Sequence, residues 1–364
     1  MGLALVRATL SDWRCAHRLE VGFSPAMTVL VGPNASGKTN TVEALQLLTA
    51  GTSFRRPSPA DLVREGCDVG RAELRLEGDG RVVDVSCTAT HASRRFTRNG
   101  KAVRPSAVPG TLLSVLFTPD DLDLVKGPAK GRRGEVDGFG SQANAGFSRV
   151  CRAYARSIEQ RNRLLKDPAC DLSVLDAWDA SVALGGATLL FHRMGLVSKL
   201  APLVAEVYAD VAGGERLEVG YECSVPGVEE GMDRDAMADA VAVALAGNRS
   251  EDLRRGMTCV GPHRDDVVFS LEGRPLRSFG SQGQQRTAVL AWKLAQVRFA
   301  EERLGERPVL LLDDVMSELD GARRSAVSSY VDTGIQAVVT TTHLGYFDEK
   351  TLTGAEVVPY GKQG

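Results

Sequence analysis

The sequence contains no run of about 18 uncharged apolar residues. The closest, the Ala-rich stretch 236–247, is too short and carries Asp239, so no membrane span is predicted. The seven cysteines, Cys15, Cys67, Cys87, Cys151, Cys170, Cys223 and Cys259, are odd in number and scattered, with no C-x-x-C pair. That pattern argues against a disulfide framework or a zinc site and fits a reducing cytoplasm. The start, MGLALVRATLSDWR, has neither a basic segment before an apolar run nor a small-residue cleavage site, so export is not expected. An excess of one charge is also absent: 44 Lys plus Arg stand against 46 Asp plus Glu, for a net charge of −2. A disordered polyanion and a histone-like polycation are thereby excluded. What is present is an apolar fraction of 43% over 364 residues, enough to bury the core of one large or two ordinary domains.

The near-neutral total conceals two cationic segments. Residues 126–166 hold ten Lys/Arg and three acids, and residues 91–104 hold five Lys/Arg and no acid, which leaves −14 on the other 309 residues. Basic segments set in an acidic body are the footprint of a protein that docks a polyanion locally.

Hydrophobic periodicity divides the chain. MTVLVG (27–32) reads as a buried strand, and the residues after it, with Val42, Leu45 and Leu48 near the helical period, as a helix. RAELRLEG (71–78) and VVDVSCTAT (82–90) alternate as half-buried antiparallel strands do, with turns at GDG and RNG, and LLSVLFTP (112–119) is a further strand. From 147 to 211 the period is helical, an inserted arm. Strands return at 216–225 and 266–273 around a helix at 235–246. The last third is α/β: helices at 282–303 and 322–331, and continuous apolar runs at 309–312 and 337–339 suited to strands buried on both faces of a parallel sheet.

Gly32-Pro33-Asn34-Ala35-Ser36-Gly37-Lys38-Thr39 satisfies G-x-x-x-x-G-K-[ST] between a strand and a helix, the arrangement that cradles nucleotide phosphates. Its glycines let successive N–H groups face phosphate oxygens, Lys38 reaches the β and γ phosphates, and the Thr39 hydroxyl holds Mg²⁺. Asp313 and Asp314 end a strand, where ligands collect in open α/β sheets, and adjacent strand residues point to opposite faces. The expected roles are Asp313 on Mg²⁺ and Asp314 polarising the attacking water. Ser281-Gln282-Gly283-Gln284-Gln285-Arg286 opens a helix as a second anion-binding device, although taken alone it also suits an ordinary helix cap. For Gly261-Pro262-His263-Arg264-Asp265-Asp266, charged side chains this close form a local ion-pair network, a better reading than metal ligation. No N-K-x-D guanine motif is present, which argues against a small GTPase.

SQGQQR, LLLDD, Ser317-Glu318-Leu319-Asp320 and Thr342-His343 follow the phosphate loop in the order found in ABC-type ATPases, which the chain therefore resembles. It is more closely similar to the RecF family of bacterial recombination mediators, in the branch that includes the SMC proteins. That resemblance rests on Leu10-Ser11-Asp12-Trp13-Arg14, GPNASGKTN, Glu43-Ala44-Leu45, Thr52-Ser53-Phe54-Arg55, Phe117-Thr118-Pro119-Asp120-Asp121, Gly127 to Arg133, GPHRDD, SQGQQRT and LLLDDVMSELD, and runs nearly end to end. Departures are Ala35-Ser36 where the family often has a glycine, Gly134 to Gly138 where it usually has an apolar pair before its Asp, and the lack of a clear Q-loop glutamine near 115–125.

The resemblance implies an α/β, ABC-type P-loop ATPase head of mixed antiparallel and parallel sheets with an inserted helical arm. Its expected divisions are 1–128 (head, phosphate-loop part), 129–212 (arm) and 213–364 (head, signature part). It implies ATP and Mg²⁺ as ligands, and a homodimer in which Lys38 of one copy faces Ser281 of the other across ATP, with Asn40, Gly283 and Gln284 also at the nucleotide. Asp314 and His343 would place the water and sense the γ-phosphate, Asp320 would couple the two sites, and Arg14 would lie on the base or ribose. Duplex or gapped DNA would be held through phosphates by Arg94, Arg95, Arg98, Lys101, Lys130, Arg132, Arg133, Arg149, Arg152 and Arg156, in repair together with RecR and RecO that supports RecA loading. The competing readings are a transporter ATPase subunit, lacking its signature here, and another SMC-like ATPase, for which 147–211 is too short a coiled coil.

Overall fold

The computed structural model describes residues 2–169, 171–332 and 334–361 and forms two compact units. Residues 1–123, 210–213 and 289–364 make the first, and 124–209 and 214–288 the second. This differs from the division expected from the sequence, which grouped 213–288 with the head. The physical reason is that this segment supplies the strands and helix against which the arm folds.

In the first unit, six antiparallel strands run in the order β2 (Ala16–Gly22), β1 (Ala4–Trp13), β4 (Val69–Gly78), β5 (Arg81–Thr90), β6 (Arg94–Arg98), β7 (Lys101–Val103). β4 alternates buried and exposed residues as its sequence predicts, and the GDG and RNG turns place Asp79 and Asn99 at positive φ. A second sheet of five parallel strands runs β14 (Ala355–Pro359), β3 (Met27–Val31), β13 (Ala337–Thr341), β12 (Val309–Asp313), β8 (Ser114–Phe117). β12 and β13 are buried along their whole length, which is why their sequences are continuous apolar runs. Helix α1 (Lys38–Ala50) places Val42, Leu45 and Leu48 in one core with Leu10 and Leu74 of the antiparallel sheet and Leu311 and Val338 of the parallel one. Helices α8 (Gly321–Asp332) and α9 (Glu349–Thr353) complete the unit.

The second unit contains α2 (Ala129–Ala143), α3 (Ala145–Leu165), α4 (Leu172–Ala212), α5 (Arg234–Arg255) and a small antiparallel sheet, β11 (Arg274–Pro275), β10 (Asp266–Leu271), β9 (Leu217–Glu222). The short α6 (Leu276–Phe279) leads to α7 (Gln282–Phe299), which begins in this unit. By length and composition alone, α4 has one 18-residue window, of mean hydropathy 1.3, apolar enough for a bilayer. Its Val182, Leu189 and Leu190 instead join Phe147, Tyr154, Val241 and Leu245 in the core of this unit. Cys170 lies outside the described residues, and the other six cysteines are unbridged.

Salt bridges knit the second unit together. Arg132 makes a two-pronged pair with Asp266, its Nε and Nη2 each donating at 2.7 Å, while its Nη1 donates to the carbonyls of Leu124, Val125 and Gly127. Arg193 grips Asp137 in the same way and donates to Pro262 O. The Asp265 carboxylate accepts from Tyr221 Oη and Ser224 N, and His263 meets Tyr154 Oη through Nδ1 and Thr258 O through Nε2. GPHRDD is thus a structural knot, and no cluster suited to a metal occurs among the described residues. Arg161, fully buried, donates to Asp179 at 2.5 Å, to Asp252 at 2.6 Å and to Thr258 Oγ1 at 2.9 Å.

Replacing Arg161 by Met leaves the fully buried Asp252 without its ion-pair partner. The expected cost is about 3–5 kcal/mol in urea unfolding, and adding Asp252→Asn should recover part of it. Equal stability of Arg161→Met and the parent would refute this assignment.

Candidate functional site

The carboxyl ends of the parallel strands share one edge of the sheet, the position at which α/β sheets bind ligands. The phosphate loop leaves β3 there, Asp313 and Asp314 leave β12, Thr341 to His343 leave β13, and Thr118 leaves β8.

Two glycines make the loop possible. Gly37 caps α1 at φ +98, and a Cβ on Gly32 would stand 2.1 Å from Tyr360 O, so neither position accepts a side chain without rearrangement. Ala35, at φ +64, adopts the left-handed conformation without being glycine, at the place where the resemblance led one to expect a glycine. This is local strain of about 1 kcal/mol, held by the loop around it. No side chain caps α1, so its first-turn N–H groups are left for a ligand. The Ser36 hydroxyl is 1% exposed and has no hydrogen-bond partner among the described residues. An orphaned donor inside a loop of this shape fits a polyphosphate.

Lys38 is buried, and its Nζ donates to Gly32 O at 2.7 Å and Pro33 O at 2.8 Å. Burial lowers its pKa, opposed by the charges of Asp314 and Asp313. An ammonium held by two carbonyls beside two acids is poised for an anion. Across from it, one hydroxyl fixes both acids: Thr340 Oγ1 donates to Asp313 Oδ1 at 2.8 Å and accepts from Asp314 N at 2.9 Å. Burial raises the Asp313 carboxyl, with hydrogen bonds from Thr340 and Thr39 pulling it back. Burial also raises Asp314, against the pull of Lys38. Asp314 sits at φ +54, a strained backbone of the kind that collects at working sites.

The structure thus brings together Lys38, Thr39, Asp313 and Asp314. Arg14 lies near the loop as well, but in a role the sequence did not disclose. Its Nε and Nη2 grip both oxygens of Glu43 at 2.9 and 2.7 Å, and Glu43, with no exposed side-chain surface, also accepts from Ser53 Oγ at 2.7 Å. Asn40 Oδ1 accepts from Arg55, while its Nδ2 donates to Cys15 Sγ. Arg14, Cys15, Asn40, Asp61, Val63 and Arg64 line a cavity of about 590 Å³. Glu43 and Thr340 are therefore the two residues to which sequence reasoning gave no role. The available signal for Glu43 was a carboxylate within the apolar stripe of α1, between Val42 and Leu45.

The remaining candidates take no part in these hydrogen bonds. His343 is exposed, its ring edge-on to Tyr346. Asp320 accepts from Arg323 N at 3.0 Å at the start of α8 and also pairs with the Arg323 guanidinium. Ser281 and Gln284 form a reciprocal cap at the start of α7: Gln284 N donates to Ser281 Oγ and Ser281 N to Gln284 Oε1. Ser281 itself is exposed, Gly283 is half-buried beside it, and Gln284 Nε2 donates to Glu215.

Of the basic candidates, Arg94, Arg95, Arg98 and Lys101 lie on the β6–β7 hairpin, with Arg95 and Lys101 exposed and Arg98 donating to Ala107 O. Lys130 is exposed on α2, and Arg149, Arg152 and Arg156 are exposed on one face of α3 at helical spacing. Arg132 has to be withdrawn from the DNA-contacting set, because it is 4% exposed and committed to Asp266 and three carbonyls. Arg133 is half-buried and donates to Asp265 O, and burial lowers its pKa.

The model of the RecF/RecN/SMC N-terminal domain matches residues 5–357. A curated DNA replication and repair protein RecF from Symbiobacterium thermophilum is 40% identical over 92% of this chain and 90% of its own length. Among solved structures, that of the recombination mediator protein RecF-ATPrS in the RecFOR pathway is similar with a TM-score of 0.89 and 28% identity, covering 95% of this chain and 94% of that one. An Smc head domain from Pyrococcus furiosus, at 14% identity and a TM-score of 0.57 over 99% of this chain and 94% of its own, shares the fold.

Replacing Thr340 by Val removes the single hydroxyl shared by Asp313 and Asp314. Nucleotide turnover should fall roughly 10- to 100-fold while nucleotide affinity stays within about threefold. Steady-state turnover compared with equilibrium binding of a fluorescent nucleotide checks this, and unchanged turnover would refute it.

Proposed function

The chain belongs to the RecF family, and on that premise we propose that it acts in DNA replication and repair as an ATPase that closes as a homodimer on DNA. The observation that carries this reading is the shared sheet edge where Lys38, Thr39, Asp313 and Asp314 converge beside an uncapped helix N-terminus. A transporter ATPase subunit is not supported, since the curated relatives match over nine-tenths of both chains under the RecF name.

ATP lies with its phosphates on the N–H groups of residues 32–40, and Lys38 moves from the two carbonyls to the β and γ phosphates. Thr39 and Asp313 fit Mg²⁺, because their side chains already share a hydrogen bond and such an ion keeps its other positions for water and phosphate. When bound, the ion neutralises charge on the β and γ phosphates. Asp314 orients the attacking water, its raised pKa making it a better proton acceptor than an ordinary aspartate. Arg14, aimed by Glu43, lines the side on which the base or ribose sits.

Ser281, exposed at the start of α7, meets the γ-phosphate held by a second copy, and His343 and Asp320 respond to its departure. Loss of that shared anion removes the attraction between the copies, a population shift with an identifiable ligand. DNA is held through its phosphates by the β6–β7 hairpin and the α3 stripe, without sequence preference, in the cytoplasm and with RecR and RecO as partners.

The decisive experiment is the molar mass of Asp314→Asn in solution, by light scattering. An ATP-dependent dimer that retains a gapped duplex is expected, and a monomer under all conditions would overturn the clamp. Charge reversal of Arg149, Arg152 and Arg156 together should weaken duplex binding and flatten its salt dependence by roughly 0.9 for each phosphate left unneutralised. An unchanged slope in a salt titration would remove α3 from the DNA surface.

A further inference from the structure

The turn that precedes the signature helix presents a large aromatic to solvent. Phe279 ends α6 with 67% of its surface exposed, two residues before Ser281. The turn is nonetheless tightly built. Leu276 is fully buried, and Gln285 Nε2 donates to both Leu276 O and Gly280 O at 3.1 Å. A Cβ on Gly280 would stand 2.4 Å from Leu276 Cδ1, so the backbone passes directly over that side chain. On the far side, the Ser281–Gln284 cap fixes the entry to α7. Phe279 is therefore held outward by a pre-organised turn, the condition under which an exposed aromatic contributes most to association.

Charge identifies the occupant. Residues 274–286 contain Arg274, Arg277 and Arg286 and no acid, and Arg274 and Arg277 are exposed. An aromatic among cations, next to a helix N-terminus, suits an apolar surface that also displays concentrated negative charge. ATP held in the phosphate loop of a second copy offers both, the flat face of its base and the charge of its phosphates. We propose that Phe279 is the apolar anchor by which one copy seats its signature turn on the nucleotide-loaded face of another. This rests on the reading in which Ser281 meets the partner copy's nucleotide.

The test uses the full chain carrying Asp314→Asn, with ATP and Mg²⁺, and measures dimer dissociation by sedimentation across protein concentration. Phe279→Ala should raise the dissociation constant at least roughly 10-fold, with Phe279→Leu in between. Binding of a fluorescent ATP analogue and the thermal midpoint should stay at parental values, since the side chain is exposed. In a separate Phe279→Trp variant, ATP should shift the new tryptophan's emission to the blue, and adding Ser281→Arg should abolish that shift. Parental dimerisation by Phe279→Ala, with or without a loss of DNA retention, would overturn the proposal, as would a dimer in which the tryptophan stays wet. If the Asp314→Asn parent itself remains monomeric, the dimer reading fails first and this anchor with it.

Discussion

An ammonium confined beside two carboxylates at the edge of a parallel sheet sets the terms for the rest of this molecule. Lys38 rests on two loop carbonyls, Asp313 and Asp314 face it from the next element but one, and burial works against the charge of all three. Such a group of charges is stable only if each is pinned by neutral hydrogen-bonding partners. The partners are specific: the Thr340 hydroxyl donates to the Asp313 carboxylate and accepts from the main-chain N–H of Asp314, Tyr360 closes over Gly32, and its phenol meets Thr41 on α1. Because β14, β3, β13 and β12 are consecutive neighbours in the sheet, these partners come from chain segments more than 300 residues apart. The two chain ends are thus joined by the needs of the nucleotide site as much as by the core.

Charge is handled differently in the second unit, where no ligand is needed to balance it. Arg132, Arg161 and Arg193 are each almost fully buried and each meets at least one aspartate. Isolated ion pairs of this type add little net stability, but removing one partner is costly, so they select one arrangement of helices over its neighbours. GPHRDD belongs to this scheme. Its conspicuous composition, which the sequence already offered as an ion-pair network, reflects how many separate helices must be tied to the start of β10.

What could be read from the sequence follows from where the determining contacts lie. β3, β12 and β13 were legible because burial on both faces writes itself as a continuous apolar run, and the phosphate loop because its chemistry is local. The resemblance started the arm at 129, but periodicity showed a helix only from 147, since α2 contains Gly131, Gly134, Gly138 and Gly140 and has low helical propensity. It is held instead by distant partners: Arg132 on Asp266, Asp137 on Arg193, and the ring of Phe147 against Gly140, where a Cβ would stand 3.1 Å away. The same cause hid Arg132 as a structural residue, because in the sequence it is one more cation in a basic run. Glu43 stood in the motifs that carry the resemblance but without a role, because its partners, Arg14 and Ser53, lie 29 and 10 residues away.

Burial also divides the site by task. Lys38, Glu43, Asp313 and Thr340 are buried and each is held by hydrogen bonds to its neighbours, whereas Ser281, His343 and Asp320 are exposed. A buried group packed against strand ends has little freedom to respond to the loss of one phosphate, because close-packed surroundings switch between discrete states and do not deform continuously. A ligand shifts an equilibrium only by its differential affinity for the two states. In the proposed cycle, the buried set binds ATP and, after hydrolysis, ADP through the same loop. The difference between the two must then be read by groups that touch the γ-phosphate without belonging to the loop. In the proposed cycle those are the exposed residues, which leave room for a ligand carried by a second copy. The geometry of burial therefore favours a switch whose output is association between molecules over one that reshapes the fold of a single copy.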